Sequence, residues 1–433
     1  MSGTQVPVGS ALARKVFSAA LFAATQRQPS LLSNMTGPAP KQSQAEAKLK
    51  GQTSPDMPLV RVTDLSKGQG DVVSVDMINT VGGKPIMGDR MAEGKGERLT
   101  SSSMDVRIDL TTKVVDSGGK MAQQRTVHSL RGLAKANLEN WFRRFNDQST
   151  VVHLAGARGS QVGTDWVVPL ATDADYGDIM VNQVKAPTYN RHYVADGTGL
   201  AQGGQALSSI DTTDIFCLEH IDELGAIIAD MEFKLQPIRL PGDAAADDSP
   251  LYLMLVTNRQ WQSILTKAGG TNGLQWRSFL QNAWNRATSF TNGKHPLFTG
   301  EAGVWNNILV RKTDRAIRFN EGDSVQYCTQ AGQATAAEAA VTVNSLSPTH
   351  AVDRAMILGA QALAHVYGKN QGSETYMNWH ERSYNFGRNL EVAGDVMGGK
   401  AKLRFGIPDA RGNQIPTDNG VMVLDTAVKL SGN

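Results

Sequence analysis

The chain has 433 residues, of which 40% are hydrophobic and 19% are charged, and its formal net charge is +2. This length exceeds a single compact core and predicts two or three domains of about 100–200 residues each. The small net charge argues against a dedicated nucleic-acid-binding protein, which carries a basic stripe or a basic domain. The two cysteines cannot build a disulfide framework, and no run reaches the roughly 18 apolar residues of a membrane helix.

The first 63 residues predict an extended arm. After the first two dozen residues this segment is rich in Ser, Gln, Pro and Lys, and Pro38, Pro40, Pro55 and Pro58 oppose regular structure. A segment of this composition becomes ordered when it binds a partner. We therefore expect residues 1–63 to lie against another molecule.

A long polar stretch, Asp64–Arg125, contains two runs of alternating apolar and polar residues, Val72–Ile78 and Met104–Leu110. This alternation predicts two β-strands. The segment between the runs is rich in Gly and charge and has almost nothing to bury, so we expect the two strands to find no core of their own. They are predicted to form a two-stranded arm that projects from the body and contacts other subunits. This pattern favours assembly over catalysis.

The strongest helical pattern follows, from Thr126 to about Ala155. Apolar residues recur there at steps of three and four, and Gly156 and Gly159 are expected to end the helix. A helix of about 30 residues would be about 45 Å long and would serve as a beam for other elements. The predicted core positions of this helix are Leu130, Leu133, Leu138, Trp141 and Phe145.

The rest of the chain predicts a mixed body. The predicted helices are Asp211–Met231, Asn258–Lys267, Phe279–Ala287 and a buried one at Ala351–Tyr367. The predicted strands are Leu251–Val256, Ile308–Val310, Leu390–Val392, Ala401–Phe405 and Val421–Leu424. This order of elements predicts an α+β fold.

One motif is close to a phosphate-binding loop. Gly394, Gly399 and Lys400 have the spacing G-x-x-x-x-G-K, but Ala401 stands where a hydroxyl should bind Mg²⁺. The following KLRF predicts a strand, so no helix N-terminus would face a phosphate. We expect a tight turn between strands here, no bound cofactor or metal, and no catalytic site. A soluble nucleotide-dependent enzyme is the least favoured hypothesis.

Several segments, in their order, resemble the major capsid proteins of tailed bacteriophages, which share the Hong Kong 97-like fold. The resemblance is greatest to the capsid family of the N-four-like podophages. It is carried by LVRVTDLSKGQGD ending at Asp71, Lys84–Leu99 (KPIMGDRMAEGKGERL), Leu154–Gly159 (LAGARG), Ile357–Gly368 (ILGAQALAHVYG), and LRFGIPD with DNGVMVLDTA after Leu403.

The resemblance implies a division of the chain. It comprises an N-terminal arm (1–70), an E-loop strand pair (71–125), a peripheral domain with a spine helix (126–210), an axial domain (211–370) and a return to the peripheral domain (371–433). In the E-loop, charges of alternating sign are expected to contact a neighbouring subunit. These residues are Lys84, Asp89, Arg90, Glu93, Lys95, Glu97 and Arg98.

The resemblance further implies a structural protein that self-assembles into the icosahedral head around the phage genome. Its implied partners are copies of itself in hexamers and pentamers, a portal protein, scaffolding or decoration proteins, and non-specifically packaged double-stranded DNA, with no membrane. The implied location is the virion capsid, assembled in the host cytoplasm. The alternative is an encapsulin-like shell of a cellular compartment, which would enclose a cargo enzyme.

Overall fold

The computed structural model describes residues 35–37, 52–65, 71–78, 85–88, 93–94, 96, 101–120, 130–163, 165–243, 245–246, 248–268, 274–290, 295–298, 302–330, 338–344, 346, 349–368, 377–384, 386–408 and 414–430. Within these ranges the helices are α1 Leu130–Ala155, α2 Tyr176–Met180, α3 Leu218–Asp230, α4 Asn258–Ala268 and α5 Leu274–Thr288. The strands are β1 Leu59–Leu65, β2 Val72–Ile78, β3 Ser101–Arg107, β4 Asp109–Gly119, β5 His192–Asp196, β6 Gly199–Gln202, β7 Tyr252–Thr257, β8 Ala302–Trp305, β9 Ile308–Thr313, β10 Ile317–Phe319, β11 Ser324–Cys328, β12 Glu338–Thr342, β13 His350–Leu358, β14 Leu363–Gly368, β15 Met377–Tyr384, β16 Asn389–Lys402, β17 Arg404–Pro408, β18 Gln414–Asp418 and β19 Val421–Lys429.

Two large sheets organise these elements. An eight-stranded sheet has the order β6-β5-β19-β13-β7-β9-β8, and β10 pairs with β13. A five-stranded sheet has the order β1-β14-β16-β15, and β4 also pairs with β16. Three further strand pairs are β2–β3, β11–β12 and β17–β18. This mixture of segregated helices and mostly antiparallel strands confirms the predicted α+β class.

Both faces of the eight-stranded sheet are buried. Along β7, Met254 belongs to an apolar cluster with α3, α4 and α5, whereas Leu253 and Leu255 belong to a second cluster on the other face. Alternate side chains of a strand point to opposite faces, so both sides of a central strand must be apolar. The run Leu251–Val256, predicted to be a strand, is confirmed as β7 with a shift of one residue.

The long helix is confirmed as α1. Gly156, which follows its last residue, has φ +66°, and its N–H donates to the carbonyl of Val152 at 2.9 Å. A side chain at Gly156 would approach the carbonyl oxygen of Lys185 to 2.5 Å. Glycine therefore ends the helix for both conformational and steric reasons.

The first half of α1 packs on the five-stranded sheet. Ala134, Leu138 and Phe142 form a buried cluster with residues of β14, β15 and β16. The second half is buried almost completely, and Phe145, Val151 and Leu154 join the cluster that lines the eight-stranded sheet. The helix thus connects the two sheets.

The predicted core face of α1 is only partly correct. Leu138 and Phe145 are buried, and Leu130 and Trp141 are half-buried. Leu133 is 49% exposed, so its assignment to the core was wrong for this subunit. The face of α1 that packs on the five-stranded sheet contains Ala134 and Leu138, and Leu133 lies beside this face.

The predicted helix at Ala351–Tyr367 is wrong, because the segment forms β13 and β14. A turn at residues 359–362 separates them, and Gln361 has φ +52° there. Gly359 is required because a side chain would come within 2.3 Å of the Gln236 carbonyl oxygen. β13 lies between β19 and β7 with both faces covered, so it is apolar on both faces apart from Asp353 and Arg354. Such a run does not distinguish a buried strand from a buried helix.

The N-terminal segment also departs from the prediction. Residues 59–65 form β1, which pairs in parallel with β14. Met35, Met57 and Leu59 are buried in the main core, and the Pro58 carbonyl accepts a hydrogen bond from Ala362 N–H at 2.8 Å. This part of the predicted arm therefore belongs to the body of its own chain, while most of residues 1–51 lie outside the described ranges.

Candidate assembly site

The predicted strand pair is present as β2 and β3. The run Val72–Ile78 coincides with β2, whereas the run Met104–Leu110 covers the end of β3 and the start of β4. β2 and β3 run antiparallel in a register from Val72 opposite Arg107 to Ile78 opposite Ser101. Along β2 the exposed positions Ser74 and Asp76 alternate with the half-buried Val75 and Met77. The alternation in the sequence therefore corresponds to one apolar and one polar face.

The apolar face of this pair packs on its own chain, which corrects the expectation that the strands have no core of their own. Val106 of β3 is fully buried in a cluster with Ala364, Val366 and Phe405. The Ser102 hydroxyl also donates to the Gly406 carbonyl at 2.6 Å. The base of the arm is thus anchored on β14, β16 and β17, whose apolar side chains match its stripe.

The far end of the arm, between β2 and β3, is described only at residues 85–88, 93–94 and 96, and all of these are exposed. Met87 is 67% exposed and Ile86 40% exposed. Of the seven charges expected to contact a neighbour, Glu93 is described and exposed. The other six lie outside the described residues, namely Lys84, Asp89, Arg90, Lys95, Glu97 and Arg98.

A buried ionic cluster fixes the end of α1. The Arg354 guanidinium donates to both carboxylate oxygens of Asp425 at 2.7 Å each and to the Ala155 carbonyl at 2.9 Å. His192 Nε2 lies 2.7 Å from the same carboxylate. Although burial alone raises the pKa of Asp425, the Arg354 charge and the hydrogen bonds lower it to about 2. The cluster ties α1 to β13, β19 and β5.

A second ionic cluster joins β16, β17 and β18. The Asp418 carboxylate lies 2.7 Å from Lys402 Nζ and 2.8 Å from Arg404 Nε. Burial lowers the pKa of Lys402 to about 8, and the nearby Asp418 charge partly offsets this effect. Arg404 also donates to the Ala186 carbonyl, so the cluster attaches this strand group to the segment after α2.

The residues of the phosphate-loop motif serve a structural purpose. Gly394, Gly399 and Lys400 all lie within β16, so the tight turn predicted there is wrong. The Lys400 ammonium is buried and donates to the Asn146 carbonyl at 2.7 Å and the Ser149 hydroxyl at 2.6 Å, both on α1. Burial lowers the pKa of Lys400 to about 7. The lysine therefore connects the spine helix to the sheet.

Two histidines line a small cavity next to Lys400. His153 of α1 and His365 of β14 are both buried. Burial and the Lys400 charge lower the pKa of His153 to about 3 and that of His365 well below its usual value. Both rings are therefore neutral at pH 7.

The described ranges contain neither a candidate metal site nor a candidate membrane-spanning helix. No group of three or more His, Cys, Asp and Glu side chains there could hold a metal ion. No helix in the described part of the chain is both long enough and apolar enough to cross a bilayer.

The model of one protein family, described as phage capsid protein, matches residues 5–430. Among solved structures, the chain is similar to the capsid of Ralstonia phage GP4, with 23% identity, a TM-score of 0.66 and coverage of 88% of this chain and 90% of the other. The capsid of cyanophage Pam1 has 15% identity, a TM-score of 0.57 and coverage of 88% and 90%. The head structure of Helicobacter pylori bacteriophage KHP40 has 12% identity, a TM-score of 0.53 and coverage of 87% and 89%.

No curated protein matches the sequence. At these identities the similarity to the solved structures concerns the fold, and it confirms the predicted Hong Kong 97-like architecture. The family match spans nearly the whole chain and makes it a structural protein of the virion capsid rather than an enzyme. The chain belongs to the phage capsid protein family.

Proposed function

We propose that this major capsid protein assembles with copies of itself, as hexamers and pentamers, into an icosahedral head that encloses double-stranded DNA. The observation that carries the proposal is the family match over residues 5–430. The exposed far end of the β2–β3 arm supports it, because the apolar side chains Ile86 and Met87 are 40% and 67% exposed in the single subunit.

The arm contributes to assembly through its far end. Its base is anchored by Val106 and Ser102 on β3, which pairs with β2, so both ends of the segment between the two strands are held by the body. Charges of alternating sign, from Lys84 to Arg98, set the register with a neighbouring subunit more than they add affinity. Many weak contacts per subunit then add up across a closed shell.

We divide the chain into an N-terminal arm (1–70), an E-loop that contains the β2–β3 arm (71–125), a peripheral domain (126–210 and 371–433) and an axial domain (211–370). Supporting this division, α1 and the five-stranded sheet share one apolar cluster, whereas α3, α4 and α5 share another with the eight-stranded sheet. Three neighbouring strands of the eight-stranded sheet come from three different ranges: β5 from 126–210, β13 from 211–370 and β19 from 371–433. The axial domain would therefore include contributions from outside 211–370.

The remaining partners are proposed from chemistry and resemblance. A net charge of +2 suits a container, because a strongly basic lining would hold packaged DNA through its phosphates. A portal protein and scaffolding or decoration proteins would complete the head. Kinship with the N-four-like podophage capsids is supported by the motifs at Lys84–Leu99 and Leu154–Gly159.

Electron microscopy of the purified full-length protein tests the function. We expect closed shells, together with a large assembly in size-exclusion chromatography. A protein that stays monomeric over a range of salt and protein concentrations would contradict the proposal. Nuclease-resistant DNA inside particles isolated from the infected host supports a virus head, whereas a protein cargo without DNA would indicate a compartment shell.

A further inference from the structure

A one-residue corner at Ile108 connects the β2–β3 arm to the five-stranded sheet. The chain leaves the arm at Arg107, the last residue of β3, and enters the sheet at Asp109, the first residue of β4. The direction of the arm relative to the sheet is set by the backbone at this corner. The groups that hold Arg107 therefore help to set the direction of the arm, together with the anchors at Val106 and Ser102.

A single side chain holds both backbone groups of Arg107. Its N–H donates to Asn182 Oδ1 at 2.9 Å, and its carbonyl oxygen accepts from Asn182 Nδ2 at 2.9 Å. An amide side chain is suited to this task because it offers one acceptor and two donors in a plane. No ionic or apolar side chain could replace both contacts.

The position of Asn182 depends on a strained turn directly after α2. Val181 has φ +65° and ψ −54°, and the Asn182 N–H donates to the Met180 carbonyl at 2.7 Å. These features define a tight three-residue turn with positive φ, which is rare and is strained for a β-branched residue. Strain of this kind persists where the surrounding structure requires it and clusters at functional positions.

The opposite side of the corner is formed by Gly399 of β16. A side chain at this position would come within 1.9 Å of the Arg107 carbonyl oxygen and within 3.1 Å of Asn182 Nδ2. The glycine in the middle of a long strand therefore allows the corner to lie directly on the sheet. Arg107 is held between Gly399 and Asn182.

We propose that Asn182 is the positioning residue that fixes the angle at which the β2–β3 arm leaves the sheet. Its two hydrogen bonds to Arg107, the strained turn at Val181 and the close approach of Gly399 together make one rigid corner. This inference rests on the proposed function, since the arm angle matters where the arm meets a second copy of this chain. The far end of a long arm moves much more than its base when the corner changes, so a small loosening would misplace the contacts.

The first test measures the corner in the full-length, unassembled subunit. Asn182→Ala removes both hydrogen bonds, and Asn182→Asp keeps the size but removes the donor and places a carboxylate against the Arg107 carbonyl. We expect hydrogen–deuterium exchange in peptides covering residues 101–110 to be faster by about tenfold in both variants. The matched control is Asn282→Ala, an exposed position on α5, where these peptides should exchange as in the wild type.

The second test follows assembly of the same variants by electron microscopy. We expect open or irregular particles from both Asn182 variants, at thermal unfolding temperatures close to the wild-type value, and regular shells from Asn282→Ala. Unchanged exchange at residues 101–110, or faster exchange with regular shells, would overturn the proposal. If the wild type itself forms no shells, the proposed function fails, while the exchange comparison still decides whether Asn182 holds the corner.

Discussion

Arg354 and Asp425 form an ion pair in which neither side chain has exposed surface. Replacing such a pair as a whole can be neutral, but removing one partner leaves an uncompensated buried charge. We therefore expect Asp425→Asn to lower the free energy of unfolding by about 3–5 kcal/mol. Urea denaturation of the unassembled subunit, followed by tryptophan fluorescence, measures this change.

The matched control for that substitution is an exposed ion pair. Asp165, whose side chain is 61% exposed, pairs with Arg315 and lies 3.5 Å from Arg144. We expect Asp165→Asn to change the free energy of unfolding by less than about 1 kcal/mol, because solvent screens such pairs. Equal effects of the two substitutions would show that the Asp425 cluster is not important for the stability of the body.

The buried histidines next to Lys400 predict acid sensitivity. The pKa of His153 is about 3 in the folded chain, against 6.5 for the exposed group, because burial and the charges of Lys400 and Lys402 disfavour the imidazolium. Between these values the unfolded chain binds a proton that the folded chain does not. Stability from this group is therefore present above pH 6.5 and is lost as the pH falls, by about 1.4 kcal/mol per pH unit.

The measurement is the urea midpoint of the unassembled subunit at several pH values between 6.5 and 5, above the window in which Asp425 protonates in the unfolded chain. Replacing the ring by a non-titrating amide, as in His153→Gln, should make the acid loss of stability shallower. His365 has a lowered pKa of the same origin and should account for much of the remaining slope. Identical slopes in wild type and variant would contradict this account.

At the scale of single elements, α1 offers a matched pair of leucines. Leu138 is fully buried against the five-stranded sheet, whereas Leu133 is 49% exposed. We expect Leu138→Ala to lower the free energy of unfolding by about 2–5 kcal/mol, because the cavity cannot collapse between a helix and a sheet. Leu133→Ala should change it by no more than about 0.5 kcal/mol. If the order were reversed in the unassembled subunit, the packing of α1 described above would be wrong.

Elements with one buried face could be predicted from the sequence. The period of α1 and the alternation of β2 are local patterns, and the structure confirms both elements. The segment 351–367 could not be assigned, because β13 is covered on both faces and its apolar run has no period that separates strand from helix. The covering layers come from distant parts of the chain, which the local pattern does not contain.

The role of the glycines in β16 at the candidate site also could not be predicted from the local sequence pattern. The motif with Gly394 and Gly399 predicted a turn, because glycines between apolar runs usually mark one. The structure keeps them in a strand because the Arg107 corner crosses the sheet at Gly399. Asn182 gave no signal in the sequence, since its partners are backbone atoms of a residue far away in the chain. The contacts with the backbone of another segment decide the role of both residues.

At the scale of the whole molecule, α1 spans both large sheets, and Leu59 of β1 and Leu363 of β14 also join the cluster that lines the eight-stranded sheet. Leu138 lies in the cluster of the five-stranded sheet, and Leu154 lies in the cluster that lines the eight-stranded sheet. The base of the β2–β3 arm is attached through Val106 to β14 and β16 of the five-stranded sheet and to β17. The base of the arm is therefore connected through packed side chains to both sheets.

The far end of the arm should be dispensable for folding but required for assembly. Deleting Gly82–Gly96 leaves β2, β3 and their anchors at Ser102 and Val106 in place, and the described residues within the deleted segment are all exposed. We expect a soluble subunit with an unchanged circular dichroism spectrum and unfolding temperature that elutes as a monomer and forms no shells. A Gly-Ser segment of the same length in place of Gly82–Gly96 is the control, and it should fold but also fail to assemble. Closed shells from the deletion variant would contradict the proposed role of the arm. Closed shells from the Gly-Ser variant alone would show that the neighbouring subunit requires the length of the segment rather than its charges from Lys84 to Lys95.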